Sequence, residues 1–136
     1  MRPILVALLL AALPVAAQDG PLTAEEFESL VEGRTLTYGA AGSDAYGVEH
    51  YHPNRRVTWA WIGDDQCLSG RWYQQGPNDD PAICFVYDDT PFETQCWQVF
   101  RQGNGLRAVY LGGGGPSVLY ELVDRPGSLV CGGVGV

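Results

Sequence analysis

Short runs of alternating apolar and polar residues recur about every 10 to 12 residues along most of this chain, and turn residues separate them. This period of two indicates β-strands, and the connections are too short for the helical crossovers that parallel strands need. We therefore predict a mainly β fold, an antiparallel meander of about eight strands that is barrel-like or a strongly curved sheet. The predicted strands are 35–38, 46–52, 56–62, 66–74, 82–87, 95–101, 106–111 and 117–123.

Residues 1–17 have the features of a secretory signal peptide. Arg2 precedes the apolar run 4–12, and Val15 and Ala17 occupy the −3 and −1 positions of a cleavage site before Gln18. The apolar run is too short to span a bilayer comfortably. We expect an exported chain, periplasmic or secreted and without a membrane anchor, that forms a single domain over residues 18–136.

One short helix is predicted near the start of that domain, over residues 23–32. Thr23 and Glu26 have the spacing of a capping box, and Leu22 and Phe27 occupy the positions of a hydrophobic staple. Such a short helix must pack its apolar face against the rest of the domain to persist.

Four cysteines in an exported chain favour two disulfides over a metal site or catalysis. Cys84 and Cys96 are equidistant from Thr90, the centre of a predicted hairpin, so they should lie opposite each other. Cys67 and Cys131 would then attach the C-terminal tail, for which no element is predicted, to the fourth strand. Four cysteines allow three pairings, and the hairpin geometry favours this one.

The chain is acidic, and all its basic residues are arginine. Without Arg2, seven basic residues remain against sixteen acidic ones, so the formal net charge is about −9. This charge argues against nucleic acid and anionic membranes as partners. It serves solubility, or it provides an acidic surface for a basic partner.

Acidic pairs occupy three predicted turns, and alternate turns of a meander lie at the same end of the sheet. Two of these turns should therefore share one end with the glycine-rich loop 112–115, with Asp79 and Asp80 at the other end. Aspartate is also a common turn residue, so turn chemistry alone accounts for the pairs. The candidate partner-binding residues are Asp64, Asp65, Asp88, Asp89 and Glu93.

Tryptophans suggest a second kind of site. Trp59 and Trp61 lie on one face of the third strand, and together with Trp72 they are candidates to line a ligand cavity in a small barrel. Alternatively, aromatic side chains fill the barrel interior as core.

No catalytic constellation and no cofactor is predicted. His50 and His52 lie on one face of the second strand, as in half of a metal site. No third ligand is adjacent in sequence, although Glu49 or an aspartate from a loop could serve. No serine has the Gly-x-Ser-x-Gly setting of a nucleophile elbow.

Three motifs together resemble small exported bacterial proteins of unknown function. The motifs are Gly70-x-Trp72, Ile83-Cys84-x-x-Tyr87, and Cys96-Trp97-x-x-Phe100-Arg101 followed by Gly103-x-Gly105. The resemblance covers residues 70–111. It implies a periplasmic β domain with Cys84 bridged to Cys96, and it implies no catalytic residues.

The leading functional hypothesis is a non-enzymatic binding module that meets a protein or envelope partner through its acidic loops. The second is a lipocalin-like carrier of a small apolar ligand, and the third is an enzyme that uses loop carboxylates. A cavity of several hundred Å³ lined by tryptophan would favour the carrier, and a filled interior would contradict it.

Overall fold

The computed structural model describes residues 19–114, 117–125, 127–132 and 134–135, so the predicted signal peptide lies outside the described residues. The described chain forms a closed barrel of eight antiparallel strands with one short α-helix, α1 (Ala24–Val31). The barrel strands are β1 (Thr35–Gly39), β2 (Ala45–Tyr51), β3 (Arg56–Trp61), β4 (Cys67–Gln75), β5 (Ala82–Tyr87), β6 (Gln95–Gln102), β7 (Gly105–Tyr110) and β8 (Val118–Glu121).

The barrel closes by pairing its first strand with its last. Tyr38 of β1 lies opposite Glu121 of β8, and Gly39 lies opposite Tyr120. All other neighbours in the barrel are consecutive in sequence. The predicted antiparallel meander is confirmed, and of the two alternatives left open the barrel is the correct one.

The helix α1 lies within the predicted range 23–32, and the two end residues of that range, Thr23 and Glu32, are its caps. The Thr23 hydroxyl accepts a hydrogen bond from the Glu26 amide, and the Glu26 carboxylate accepts one from the Thr23 amide, each at 3.3 Å. These bonds satisfy amides that the first helical turn leaves free. Gly33 follows the last turn with a φ of +78°, a conformation that glycine adopts without strain.

The apolar face of α1 closes one end of the barrel. The ring of Phe27 is 1% exposed and packs edge to face against Tyr51, Trp72 and Phe85, which come from three different strands. The Leu22 amide donates a hydrogen bond of 2.7 Å to the carbonyl of Val99 on β6. The helix is therefore the floor of the barrel rather than an appendage on its side.

Both predicted disulfides are present. Cys84 and Cys96 are paired residues in the β5–β6 register, and their sulfurs are bonded across that hairpin. Cys67 is bonded to Cys131, which fixes the C-terminal tail to β4.

The tail is more ordered than the sequence predicted. It contains a two-stranded hairpin, β9 (Val130–Cys131) and β10 (Val134–Gly135). Just before it, Leu129 is fully buried against Val48 and Ala60 on the outer face of the barrel. Strands of two residues are too short to show a periodic pattern in the sequence. The contact of Leu129 with the barrel joins residues that are far apart in the chain, so no local pattern predicts it.

Within the described part of the chain, no helix has the length and apolar character needed to cross a bilayer. The two disulfides are consistent with an oxidising, extracellular or periplasmic environment.

Candidate functional site

The barrel contains a cavity of about 610 Å³. This volume lies within the range of about 300 to 1,000 Å³ that is usual for small-molecule sites. The cavity extends from Phe27 on α1 to the turns at the opposite end, where Asp89, Glu93 and Gly114 line its mouth. The aromatic side chains therefore do not fill the barrel, and the interpretation of them as packed core alone is wrong.

Ten of the twenty residues that line the cavity are aromatic, including Trp59, Trp61 and Trp97. The rings of Trp59 and Trp61 meet edge to face with their centroids 5.2 Å apart. Trp97 and Tyr110 do the same across β6 and β7 at 4.8 Å. Each ring is held by another ring, so the wall presents an ordered aromatic surface to the cavity.

Two strand glycines make room for these rings. A Cβ atom added to Gly47 would overlap the indole of Trp59, and one added to Gly70 would lie 2.9 Å from the ring of Tyr87. In both places an aromatic ring occupies the space that a side chain would take, as glycine in a strand permits.

A buried carboxyl group, that of Glu49, is the least expected feature of the cavity. The residue is only 2% exposed, and both of its carboxylate oxygens accept from the Tyr87 hydroxyl, at 3.1 and 3.0 Å. Burial raises the pKa of Glu49 from 4.5 to about 8, although the hydrogen bond from Tyr87 opposes the rise. The carboxyl group is therefore mostly protonated at neutral pH.

Phenols surround this carboxyl group. The hydroxyls of Tyr38 and Tyr51 are hydrogen-bonded to each other at 2.9 Å beside it. Burial raises the pKa of Tyr38, Tyr51 and Tyr87 well above the usual tyrosine range, so all three stay neutral. The deep part of the cavity thus carries hydrogen-bonding groups but no net charge at neutral pH.

The structure separates the three tryptophans proposed from the sequence. Trp59 and Trp61 line the cavity, as expected. Trp72 is not among the lining residues, because Phe27 covers its ring at 5.0 Å and the Arg55 guanidinium lies 4.9 Å from it. The helix thus converts the inward-facing Trp72 from a candidate ligand contact into part of the floor.

The acidic turns after β3 and β5 and the glycine-rich turn after β7 lie at the mouth of the barrel, because alternate connections of a meander share an end. Only Asp89 and Glu93 of the five candidate acids line the cavity. Asp64 accepts a hydrogen bond from the Gln66 amide at 2.9 Å, as turn chemistry predicts, and Asp65 lies next to it on the exposed turn.

Asp88 takes part in a surface ion pair instead, with its carboxylate 3.6 Å from Arg56. The mouth also carries exposed apolar side chains. Phe92 is 98% exposed, and Trp61 and Leu111 are about half exposed. The rim therefore combines negative charge with apolar surface.

His50 lies on the outer face of β2, and His52 follows the last residue of that strand. Their rings are 4.5 Å apart, and each has a threonine partner: Thr35 for His50 at 2.7 Å and Thr58 for His52 at 2.8 Å. Among the described residues there is no group of three or more potential ligands that could hold a metal ion.

Glu49, a possible metal ligand by sequence, lines the cavity instead, and so does Tyr87, for which no role is predicted. One signal for Glu49 was present, because strand alternation places it on the same face as Tyr51, which faces the interior. A charged residue on an inward face is unusual enough to indicate a site.

Comparison of the chain with protein-family models, with curated proteins and with solved structures finds no match.

Proposed function

We propose that this chain is an exported, non-enzymatic carrier that binds a small molecule with a large apolar part inside its barrel, as a lipocalin-like protein would. The observation that supports this is the cavity of about 610 Å³, which is open at one end and half lined by aromatic side chains. A space of this kind suits a ligand of drug-like size. The two disulfides support a location in the periplasm or outside the cell.

A neutral apolar dye, N-phenyl-1-naphthylamine, tests the proposal because its fluorescence rises in apolar surroundings. We expect saturable binding of one dye per chain. Ala108 lines the cavity, whereas its neighbour Val109 is not among the lining residues. Ala108→Trp should therefore weaken dye binding at least tenfold, and Val109→Trp is the matched control on the other face of β7.

Absence of saturable dye binding by the wild-type protein would contradict the carrier proposal. The same holds if Ala108→Trp binds the dye as tightly as Val109→Trp does, because the dye would then lie outside the barrel.

The acidic rim supports a second candidate function, the binding of a basic protein or envelope partner. Asp64, Asp65, Asp88 and Asp89 are exposed in the turns after β3 and β5, and the turn after β5 also contains the exposed Phe92. Affinity capture of envelope proteins, repeated with these four aspartates changed to asparagine, tests it. The matched control changes Asp79 and Asp80, which lie in the exposed turn at the other end. If the variant with all four substitutions captures the same partners as the wild type, this hypothesis is wrong.

A further inference from the structure

Apart from the phenols, the ionisable side chains that line the cavity are all carboxyl groups. Glu49 lies deep in the cavity, and Asp89 and Glu93 lie at its mouth, whereas none of the described lining residues is an arginine, lysine or histidine. Arginines form ion pairs outside the cavity, such as Arg34 with Glu121 and Arg125 with Asp44. A ligand that moves inward therefore meets negative or neutral groups.

The hydrogen bonds of Glu49 leave some of its acceptor positions unused. An ionised carboxylate has about four acceptor positions, and the Tyr87 hydroxyl is its one donor among the described residues. A buried carboxylate is costly without an opposite charge and further donors. An ammonium group would supply both in one contact.

The aromatic wall next to Glu49 favours the same kind of group. Trp59 is paired with Glu49 across the β2–β3 register, so the indole and the carboxyl group project from adjacent points into the cavity. Cations are attracted to the faces of tryptophan and tyrosine rings, most strongly where water is excluded. The cavity thus offers a carboxyl group for the charge and rings for the body of the ligand.

We propose that the ligand is an organic cation, an amine on an apolar or aromatic body, whose ammonium group pairs with Glu49 while its body lies against Trp59, Trp97 and Tyr110. This inference rests on the proposed carrier function. An organic anion would find no basic side chain among the described lining residues to receive it. A neutral ligand would supply no charge opposite to that of an ionised Glu49.

Binding of the cation is coupled to release of a proton. The titratable groups that face Glu49 are the phenols of Tyr87 from β5, Tyr38 from β1 and Tyr51 from β2, and all three stay neutral. The proton that leaves Glu49 goes to solvent when the ammonium group arrives. Since the pKa of Glu49 is about 8, affinity should rise by roughly 50-fold from pH 6 to pH 8, where an alkylammonium stays charged.

Three indoles that differ only in charge test the inference by isothermal titration calorimetry: tryptamine, neutral tryptophol and anionic indole-3-acetate. At pH 8 we expect tryptamine to bind at least tenfold more tightly than tryptophol, and indole-3-acetate to bind most weakly. Glu49→Gln should remove the preference for tryptamine over tryptophol and the pH dependence of tryptamine binding. Asp79→Asn, a carboxyl-to-amide change at the other end of the barrel, is the matched control.

Equal binding of tryptamine and tryptophol by the wild-type protein would overturn the assignment of a cation, as would an unchanged preference in Glu49→Gln. The naphthylamine dye distinguishes failure of the cation assignment from failure of the carrier function. Dye binding without a preference for tryptamine would overturn the cation assignment alone, whereas failure of the dye and of all three indoles would overturn the carrier function.

Discussion

Replacing Glu49 by glutamine should change how stability depends on pH. The free energy of unfolding of Glu49→Gln, minus that of the wild type, should increase from acidic to alkaline pH. The amide keeps the shape of the carboxyl group and can still accept from the Tyr87 hydroxyl, but it cannot ionise. As the pH rises, the folded wild type must either keep a proton on the buried carboxyl group or bury a negative charge, and both cost free energy relative to the unfolded state. The amide of the variant has no such cost.

The magnitude follows from the pKa of Glu49, which rises from 4.5 to about 8 on folding. At 1.36 kcal/mol for each pKa unit, the difference corresponds to about 5 kcal/mol in the free energy of unfolding. Between pH 4.5 and 8 the folded state holds the proton and the unfolded state does not. Wild-type stability from this group is therefore fully present below pH 4.5, falls through this window, and levels off above pH 8.

Urea denaturation followed by tryptophan fluorescence, at intervals from pH 4 to pH 9, measures this effect. The quantity of interest is the difference between wild type and Glu49→Gln at each pH. Other groups with shifted pKa values, such as Glu121 and His52, are present in both proteins and cancel. The control Asp79→Asn should run parallel to the wild type. Parallel curves for the wild type and Glu49→Gln would refute a strongly raised pKa.

Three further changes address the framework of the site. Changing Cys84 and Cys96 together to serine should lower the free energy of unfolding by about 3 kcal/mol, measured by urea denaturation, because the loop they close spans a sequence separation of 12 residues; an unchanged midpoint would contradict this. Gly47→Ala should displace the indole of Trp59 and alter the near-ultraviolet circular dichroism, and an unchanged spectrum would show that the ring does not lie over Gly47. Thr23→Ala removes the helix cap and should cost about 1 kcal/mol, whereas a loss below the error of a urea titration would mean that floor packing alone holds the helix.

Local signals made most of the framework predictable from the sequence. The alternation of each strand, the capping box at Thr23 and the symmetry of Cys84 and Cys96 about one turn all depend on residues that are close in the chain. For the same reason, the placement of the acidic turns at one end followed from the order of a meander. Strand boundaries inferred in this way differ from the observed ones by one or two residues, where pairing fades.

The parts that could not be predicted depend on distant residues. Closure of the barrel requires β1 to meet β8, and neither strand carries a pattern specific for the other. Whether the interior is filled or hollow depends on how Phe27 covers Trp72 and how Gly47 and Gly70 leave space for rings. Alternation placed Glu49 inward, but only the structure shows how completely water is excluded from it.

Closure of one barrel end by α1 has a kinetic consequence. A bound molecule can leave only past the side chains through which it came, because Phe27 and its neighbours block the far end. A competitor cannot enter from the closed end, so it binds only after the first ligand has left the cavity. Exchange of ligands should therefore be purely dissociative, with a displacement rate that stays constant however much competitor is added.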